Sequence, residues 1–255
     1  MELAPAAAAA GVGLIACDMI ASTNSEALAC ARAGERGPLW ITARAQTAGR
    51  GRRGRAWVSE PGNLFATLLL TDPGPPEHAA QLSFVAALAV HDALVALAPA
   101  VRPRLAFKWP NDVLCDGAKL AGILIEAEGT QPLVAAVGIG VNCRHHPAQT
   151  DFPATDLAAA GAAVTAEALF AELSLAMVRR LREWEAGFAS IRADWLRRAL
   201  GGDLQVRLGA REVAGRFETL DESGRLMLRL PDGRLEAIAA GEVFPIAPSA
   251  TAMGP

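Results

Sequence analysis

Gln46-Thr47-Ala48-Gly49-Arg50-Gly51-Arg52-Arg53-Gly54-Arg55-Ala56-Trp57, residues 46–57, is the stretch around which the sequence is organised. Four arginines and three glycines fill seven consecutive positions, and no acidic residue lies between Glu35 and Glu60. Guanidinium groups offer rigid donor forks suited to carboxylate or phosphate. Glycine lets backbone N–H groups approach an anion closely. The segment reads as an anion clamp. It is anchored on both sides: Leu39–Arg44 enters it as a strand, and Trp57 and the apolar strand Asn63–Leu70 follow. A free basic turn or an RNA-binding arginine motif is the competing reading. The glycine spacing fits neither the phosphate loop of nucleotide triphosphatases nor the dinucleotide fingerprint.

Outward from the loop the chain alternates helix and strand. Leu14–Met19 reads as a strand. Ser22-Thr23-Asn24-Ser25-Glu26 then opens a helix to about Ala33. Thr23 and Glu26 have capping-box spacing, so Thr23 is either a cap or part of a small-ligand site at a helix start. A proline-rich loop (Pro73, Pro75, Pro76) precedes a helix over Ala79–Leu97, and Arg104–Lys108 is a strand. Pro110 holds Trp109 extended, and Trp109 reads as packing. Asp116-Gly117 marks a tight turn, so Val113–Cys115 and Lys119–Glu126 form a hairpin. Leu133–Asn142 is a further strand, in which Gly138-Ile139-Gly140 reads as strand-end packing. Thr165–Trp195 is helical, with apolar residues at three- and four-residue steps. Beyond Gly201-Gly202 the period falls to two, predicting a small β-barrel of about five strands. The expected fold class is α+β, a mixed sheet flanked by helices followed by the barrel. The expected division is a flexible Ala-rich leader (1–13), a main domain (14–200), the barrel (201–248) and a flexible tail (249–255).

The net charge of −3 opposes a general nucleic-acid binder, so the basic loop is a local feature. Cys17, Cys30, Cys115 and Cys143 show no CxxC spacing and fall in apolar segments, as expected of reduced thiols in a cytoplasmic protein. The apolar run Leu82–Ala98 carries His91 and Asp92 and is expected to be a buried helix, not a membrane span. His145-His146 precedes Pro147 in a polar stretch and reads as an exposed loop.

Three polar clusters, Ser22–Asn24, Gln46–Arg55 and Lys108–Lys119, interrupt this apolar frame. Together with Lys108-Trp109-Pro110-Asn111-Asp112, Lys119-Leu120-Ala121-Gly122-Ile123-Leu124-Ile125-Glu126 and Gly138-Ile139-Gly140-Val141-Asn142, they resemble, in order, the signature blocks of biotin protein ligases. The likeness covers roughly residues 14–247. It implies a class II synthetase-like catalytic domain with an SH3-like C-terminal barrel. It also implies a two-step reaction: biotin and ATP give biotinyl-5′-AMP, and the biotinyl group passes to one lysine of a biotin carboxyl carrier domain of acetyl-CoA carboxylase or a related carboxylase. By this resemblance Ser22, Thr23, Asn24, Gln46, Arg50, Gly51, Arg52 and Lys119 line the biotin site, with Lys119 and Arg52 catalytic. Trp57, Lys108, Asn111, Asp112 and Arg53 face ATP. Gly49, Gly51, Gly54 and Arg55 belong to a lid. Mg²⁺ is expected as the companion of ATP. Asp112 either holds that ion or orients Lys108 or Lys119, and Arg53 and Arg55 are either solvated lid charges or contacts. Ala21 stands where relatives often carry an acidic residue. With only an Ala-rich stretch before Leu14, the expectation is a monofunctional ligase, monomer or homodimer, that binds neither DNA nor membrane.

Overall fold

The computed structural model describes residues 1–246. The chain runs α1 (Pro5–Ala9), β1 (Gly13–Ile20), α2 (Thr23–Arg32), β2 (Leu39–Gln46), β3 (Leu64–Thr71), α3 (Pro76–Ala80), α4 (Leu82–Leu97), β4 (Leu105–Lys108), β5 (Asp112–Cys115), β6 (Ala118–Glu128) and β7 (Val134–Val141). It continues through α5 (Ala166–Glu185), α6 (Phe188–Leu196), β8 (Asp203–Leu208), β9 (Arg211–Leu220), β10 (Leu226–Arg229), β11 (Leu235–Ile238) and β12 (Glu242–Pro245). Seven strands form one mixed sheet in the order β1-β2-β3-β7-β6-β5-β4, with β1 and β2 parallel and the remaining pairs antiparallel. The last five form a second, antiparallel sheet in the order β11-β10-β9-β8-β12.

Alternation along the strands sorts the core into two layers. Trp40, Leu64, Ala66 and Leu68 face α4 and α5, in the large core. Ile41, Leu69 and Ala136 face α2, with Ala27 and Leu28. Helix α4 is buried nearly all round, which accounts for its unbroken apolar run. Helix α2 has only 10 residues. It therefore covers one end of its face of the sheet. Farther along that face come Phe65 and Thr67 of β3, Gly122 of β6, and Gly138 and Gly140 of β7, which line an open cavity or stand at its edge.

Several expectations are corrected. The supposed leader is ordered: α1 buries Ala7, and the Ala4 N–H donates to Ser174 Oγ at 3.0 Å. Ser22, not Thr23, occupies the cap position of α2, and no side chain caps it. The long C-terminal helix is two helices, parted at Gly187, whose φ of 138° only glycine adopts comfortably. The helix over Ala79–Leu97 likewise divides at Gln81. Cys115 and Cys143 are buried, but Cys17 and Cys30 are only partly so. Burial pushes the Cys143 thiol up to about 12, leaving it inert. Residues 249–255, expected to be a tail, lie outside the described residues.

Candidate active site

A cavity of about 470 Å³ lies between the first sheet, residues 46–57, the segment around 147–154, and β12 of the second sheet. One end is built mostly from neutral groups, with the Glu126 carboxylate beside them. Gln46 leaves the end of β2 and accepts from the Thr23 N–H at 2.8 Å and the Thr23 hydroxyl at 3.1 Å. Its amide nitrogen donates to Ser59 Oγ at 2.9 Å, and Ser59 donates to the Trp57 carbonyl at 2.8 Å. Asn24 Oδ1 can only accept, so the Thr67 hydroxyl, 2.7 Å away, donates to it. The Thr23 and Thr67 hydroxyls stand 2.8 Å apart. Asn24 Nδ2 donates to Glu126 at 2.8 Å and to the Leu124 carbonyl at 3.2 Å. Thr23, Asn24 and Thr67 are buried, and this circuit supplies the partners that burial of polar groups demands.

The other end is charged. In the β4–β5 hairpin Lys108 pairs with Asp112, and a bulge in the β5–β6 ladder sets Lys119 beside them. Asp112 forms ion pairs with Lys108 at 2.8 Å and with Lys119 at 2.6 Å. Burial would raise the Asp112 carboxyl, but the ammonium groups of Lys119 and Lys108 prevail and hold it below its ordinary value. Burial pulls Lys108 down despite the attraction of Asp112. Burial lowers Arg52 too. The Arg52 guanidinium donates to Asn111 Oδ1 at 3.3 Å and to the Gly241 carbonyl at 3.2 Å. Asn111 is fixed by donating to the Ile123 carbonyl at 2.7 Å. Lys108 Nζ also lies 4.8 Å from the Phe152 ring centroid, and Lys119 Nζ 5.4 Å from that of Trp57. Three cationic side chains thus face one carboxylate.

Between the ends lies a floor without side chains. A Cβ on Gly140 would come within 2.7 Å of the Trp57 indole, and one on Gly138 within 2.2 Å of Asn24 Oδ1. On Gly122 it would meet Trp57 at 3.1 Å and the Lys119 side chain at 3.2 Å. Trp57 therefore lies flat on this floor, its buried Nε1 without a hydrogen-bond partner.

The structure gathers Ser22, Thr23, Asn24, Gln46, Gly51, Arg52, Trp57, Lys108, Asn111, Asp112 and Lys119 around the cavity. Arg50 is at its rim, engaged with Glu126 at 2.8 Å and Ser25 at 2.8 Å. Gly49 is tightly packed: a Cβ there would meet Ser59 Oγ at 2.4 Å and the Trp57 carbonyl at 2.6 Å. This close approach is what requires glycine there. Arg53 and Arg55 both pair with Glu242 of β12. Asp112 is engaged by two lysines, and among the described residues no three His, Cys, Asp or Glu side chains form a metal site. His145 and His146 are exposed, with His146 Nδ1 2.6 Å from Asp156. Sequence reasoning overlooked Thr67, Phe152 and Glu242. It also took Gly138-Ile139-Gly140 for packing. Glycines at alternate positions of one strand were the available signal, since they clear a single face.

Residues 19–143 match the biotin/lipoate A/B protein ligase family, and residues 204–244 match the biotin protein ligase C-terminal domain. A biotin–(acetyl-CoA-carboxylase) ligase of Paracoccus denitrificans is 48% identical over 240 residues, covering 88% of this chain and 96% of that protein. Its counterpart in Mycobacterium tuberculosis is 35% identical over 244 residues, with coverage of 92% and 90%. Among solved structures, the biotin protein ligase from Aquifex aeolicus in complex with biotin and ATP superposes with a TM-score of 0.76 at 26% identity, covering 91% of this chain and 97% of that one. With sequence, fold and both domains in agreement over nearly the full length, this chain belongs to the biotin protein ligase family.

Proposed function

We propose that the chain activates biotin with ATP to biotinyl-5′-AMP and transfers the biotinyl group to one lysine of a biotin carboxyl carrier domain, as found in acetyl-CoA carboxylase. The observation that carries this reading is the direct adjacency of a neutral, buried hydrogen-bonding end and a cationic end within one cavity. A ureido ring offers two donors and one acceptor, which suits Ser22, Thr23, Asn24 and Gln46. A carboxylate approaching a triphosphate needs its repulsion cancelled. Lys119, Lys108 and Arg52 exceed Asp112 in charge and would do this. In the first step a biotin carboxylate oxygen bonds to the α-phosphorus as pyrophosphate leaves. In the second, an unprotonated carrier lysine bonds to the acyl carbon, AMP leaves, and the lysine nitrogen sheds a proton. The unpartnered Trp57 indole over the glycine floor supports adenine stacking there.

Arg50, Gly51 and Arg53–Arg55 act as a lid that keeps water from the mixed anhydride. Mg²⁺ accompanies the ATP phosphates and is not held by a protein cage. The enzyme acts in the cytoplasm, as a monomer or homodimer. The one membrane-length apolar segment among the described residues, Pro76–Leu97, is largely buried in the fold. These 255 residues act without DNA or repressor function, in keeping with the net charge of −3. The test is incubation with ATP, Mg²⁺, labelled biotin and a carrier domain. Label on a single carrier lysine is expected, and absence of both labelled carrier and adenylate overturns the reading. Retention on duplex DNA at physiological salt overturns the DNA-independent part.

A further inference from the structure

The second sheet lines the cavity through Glu242, Val243 and Phe244, yet the reaction described above gives it no task. Its contacts converge on the arginine segment. Glu242 forms ion pairs with Arg55 and, at 3.4 Å, with Arg53, while its own side chain is only 17% exposed. Arg53 also approaches the Arg207 carbonyl of β8 at 3.5 Å, and Arg52 donates to the Gly241 carbonyl at 3.2 Å. The segment is itself a closed ring. Gly51 N–H donates to the Arg55 carbonyl at 2.6 Å, and Arg50 bridges to Ala56. Whatever holds Arg55 therefore also sets Arg52, whose guanidinium reaches the charged end.

The anchor is rigid on its own side. Glu242 is the first residue of β12 and pairs with Arg207 of β8. At Gly241 a Cβ would come within 2.8 Å of Val206 and 3.0 Å of Leu208, so glycine is what lets the strand start this close. Four guanidinium groups in one short loop repel one another. The shielded Glu242 carboxylate beside two of them offsets part of that repulsion when the loop is closed on the second sheet.

We propose that Glu242 is a positioning residue that latches residues 50–56 closed against the second sheet and so holds Arg52 in place. This rests on the lid reading given above. Trypsin cuts after arginine, and the loop carries four such sites, so cleavage there reports opening without any ligase chemistry. Glu242→Gln keeps the shape and removes the charge. Its loop should be cut about tenfold faster than the parent's in native buffer, equivalent to about 1.4 kcal/mol of lost closure. Glu242→Asp should recover part of the protection. Glu218→Gln, which breaks the exposed Glu218–Arg229 pair of the same sheet, should leave cleavage unchanged. Equal cleavage of Glu242→Gln and the parent overturns the latch, as does equal acceleration in Glu218→Gln. In parallel, the biotinyl-adenylate formed on the enzyme should be lost several-fold faster from Glu242→Gln. Faster cleavage with an unchanged adenylate lifetime keeps the latch and overturns the lid reading instead.

Discussion

Around Thr23, Asn24, Gln46 and Thr67 hydrogen bonds run mostly between neutral groups, and each hydroxyl and amide has partners within the protein. Around Asp112, at the other end of the same cavity, two ammonium groups pair with one carboxylate, and the Arg52 guanidinium stands beside them on Asn111. The first end has its hydrogen bonds in place before any ligand arrives, and on the proposed reading it selects by shape and by the cost of leaving a buried donor or acceptor unpaired. The second is electrostatically unbalanced and is completed only by an anion. Preorganised surplus charge of this kind favours a transition state more than a resting state. On the proposed reading, one cavity divides selection and chemistry between its ends.

The most severe break in that division is Lys119→Ala. It removes a cation from the charged end while the neutral circuit stands, so adenylate synthesis should fall by about 10²–10³ with biotin affinity changed far less. Pyrophosphate release together with equilibrium binding of labelled biotin measures the split. Equal losses in both would erase the distinction between the ends.

A single methyl can address each end separately. Gly138→Ala drives a Cβ into Asn24 and should weaken biotin binding by about 10²-fold, as overpacking at about 1–3 kcal/mol permits at its upper end. Gly140→Ala displaces the Trp57 indole instead and should raise the KM for ATP with a smaller effect on biotin. Steady-state kinetics with each substrate varied in turn would show whether the two glycines serve different ligands. A milder change is Thr67→Val, which keeps the volume but leaves Asn24 Oδ1 without its donor. About tenfold weaker biotin binding is expected, with the ATP constant nearly unmoved.

The smallest effect is an acid-side one. Ionised Asp112 is favoured by folding, because its carboxyl is held below the unfolded value of 3.8. Its contribution is complete above about pH 4 and disappears as the pH falls through the lower folded value. In urea melts, Asp112→Asn should be less stable than the parent at neutral pH, and the gap should narrow on acidification. A constant gap would show that Asp112 contributes packing and not charge.

What could be read in advance follows from where the chemistry lies along the chain. Ser22–Asn24, the arginine segment and Lys108–Lys119 are contiguous motifs, so their residue types announced a site and the structure brings them together. Thr67 was invisible because a threonine in an apolar strand is ordinary, and only its register with Gly138 turns it toward Asn24. Glu242 is separated from Arg55 by 187 positions and sits in a short strand of mixed polarity. The Ala-rich N-terminus misled because five alanine-rich residues carry no periodicity, whereas Ala7 is buried by tertiary packing. Trp109, expected to pack, does so, and its indole also donates to the Gly224 carbonyl in the turn between β9 and β10 at 3.0 Å.

That indole contact carries a consequence for how the molecule comes apart. The large core is continuous from Leu88 of α4 and Trp195 of α6 to Leu204, Val206, Leu226 and Leu228 of the second sheet. The change of periodicity near Gly201 is a border in the topology but not in the energetics. Both halves should melt in one calorimetric transition, with equal calorimetric and van't Hoff enthalpies. A chain severed there would yield two fragments with exposed apolar wounds, held together only as long as they stay docked.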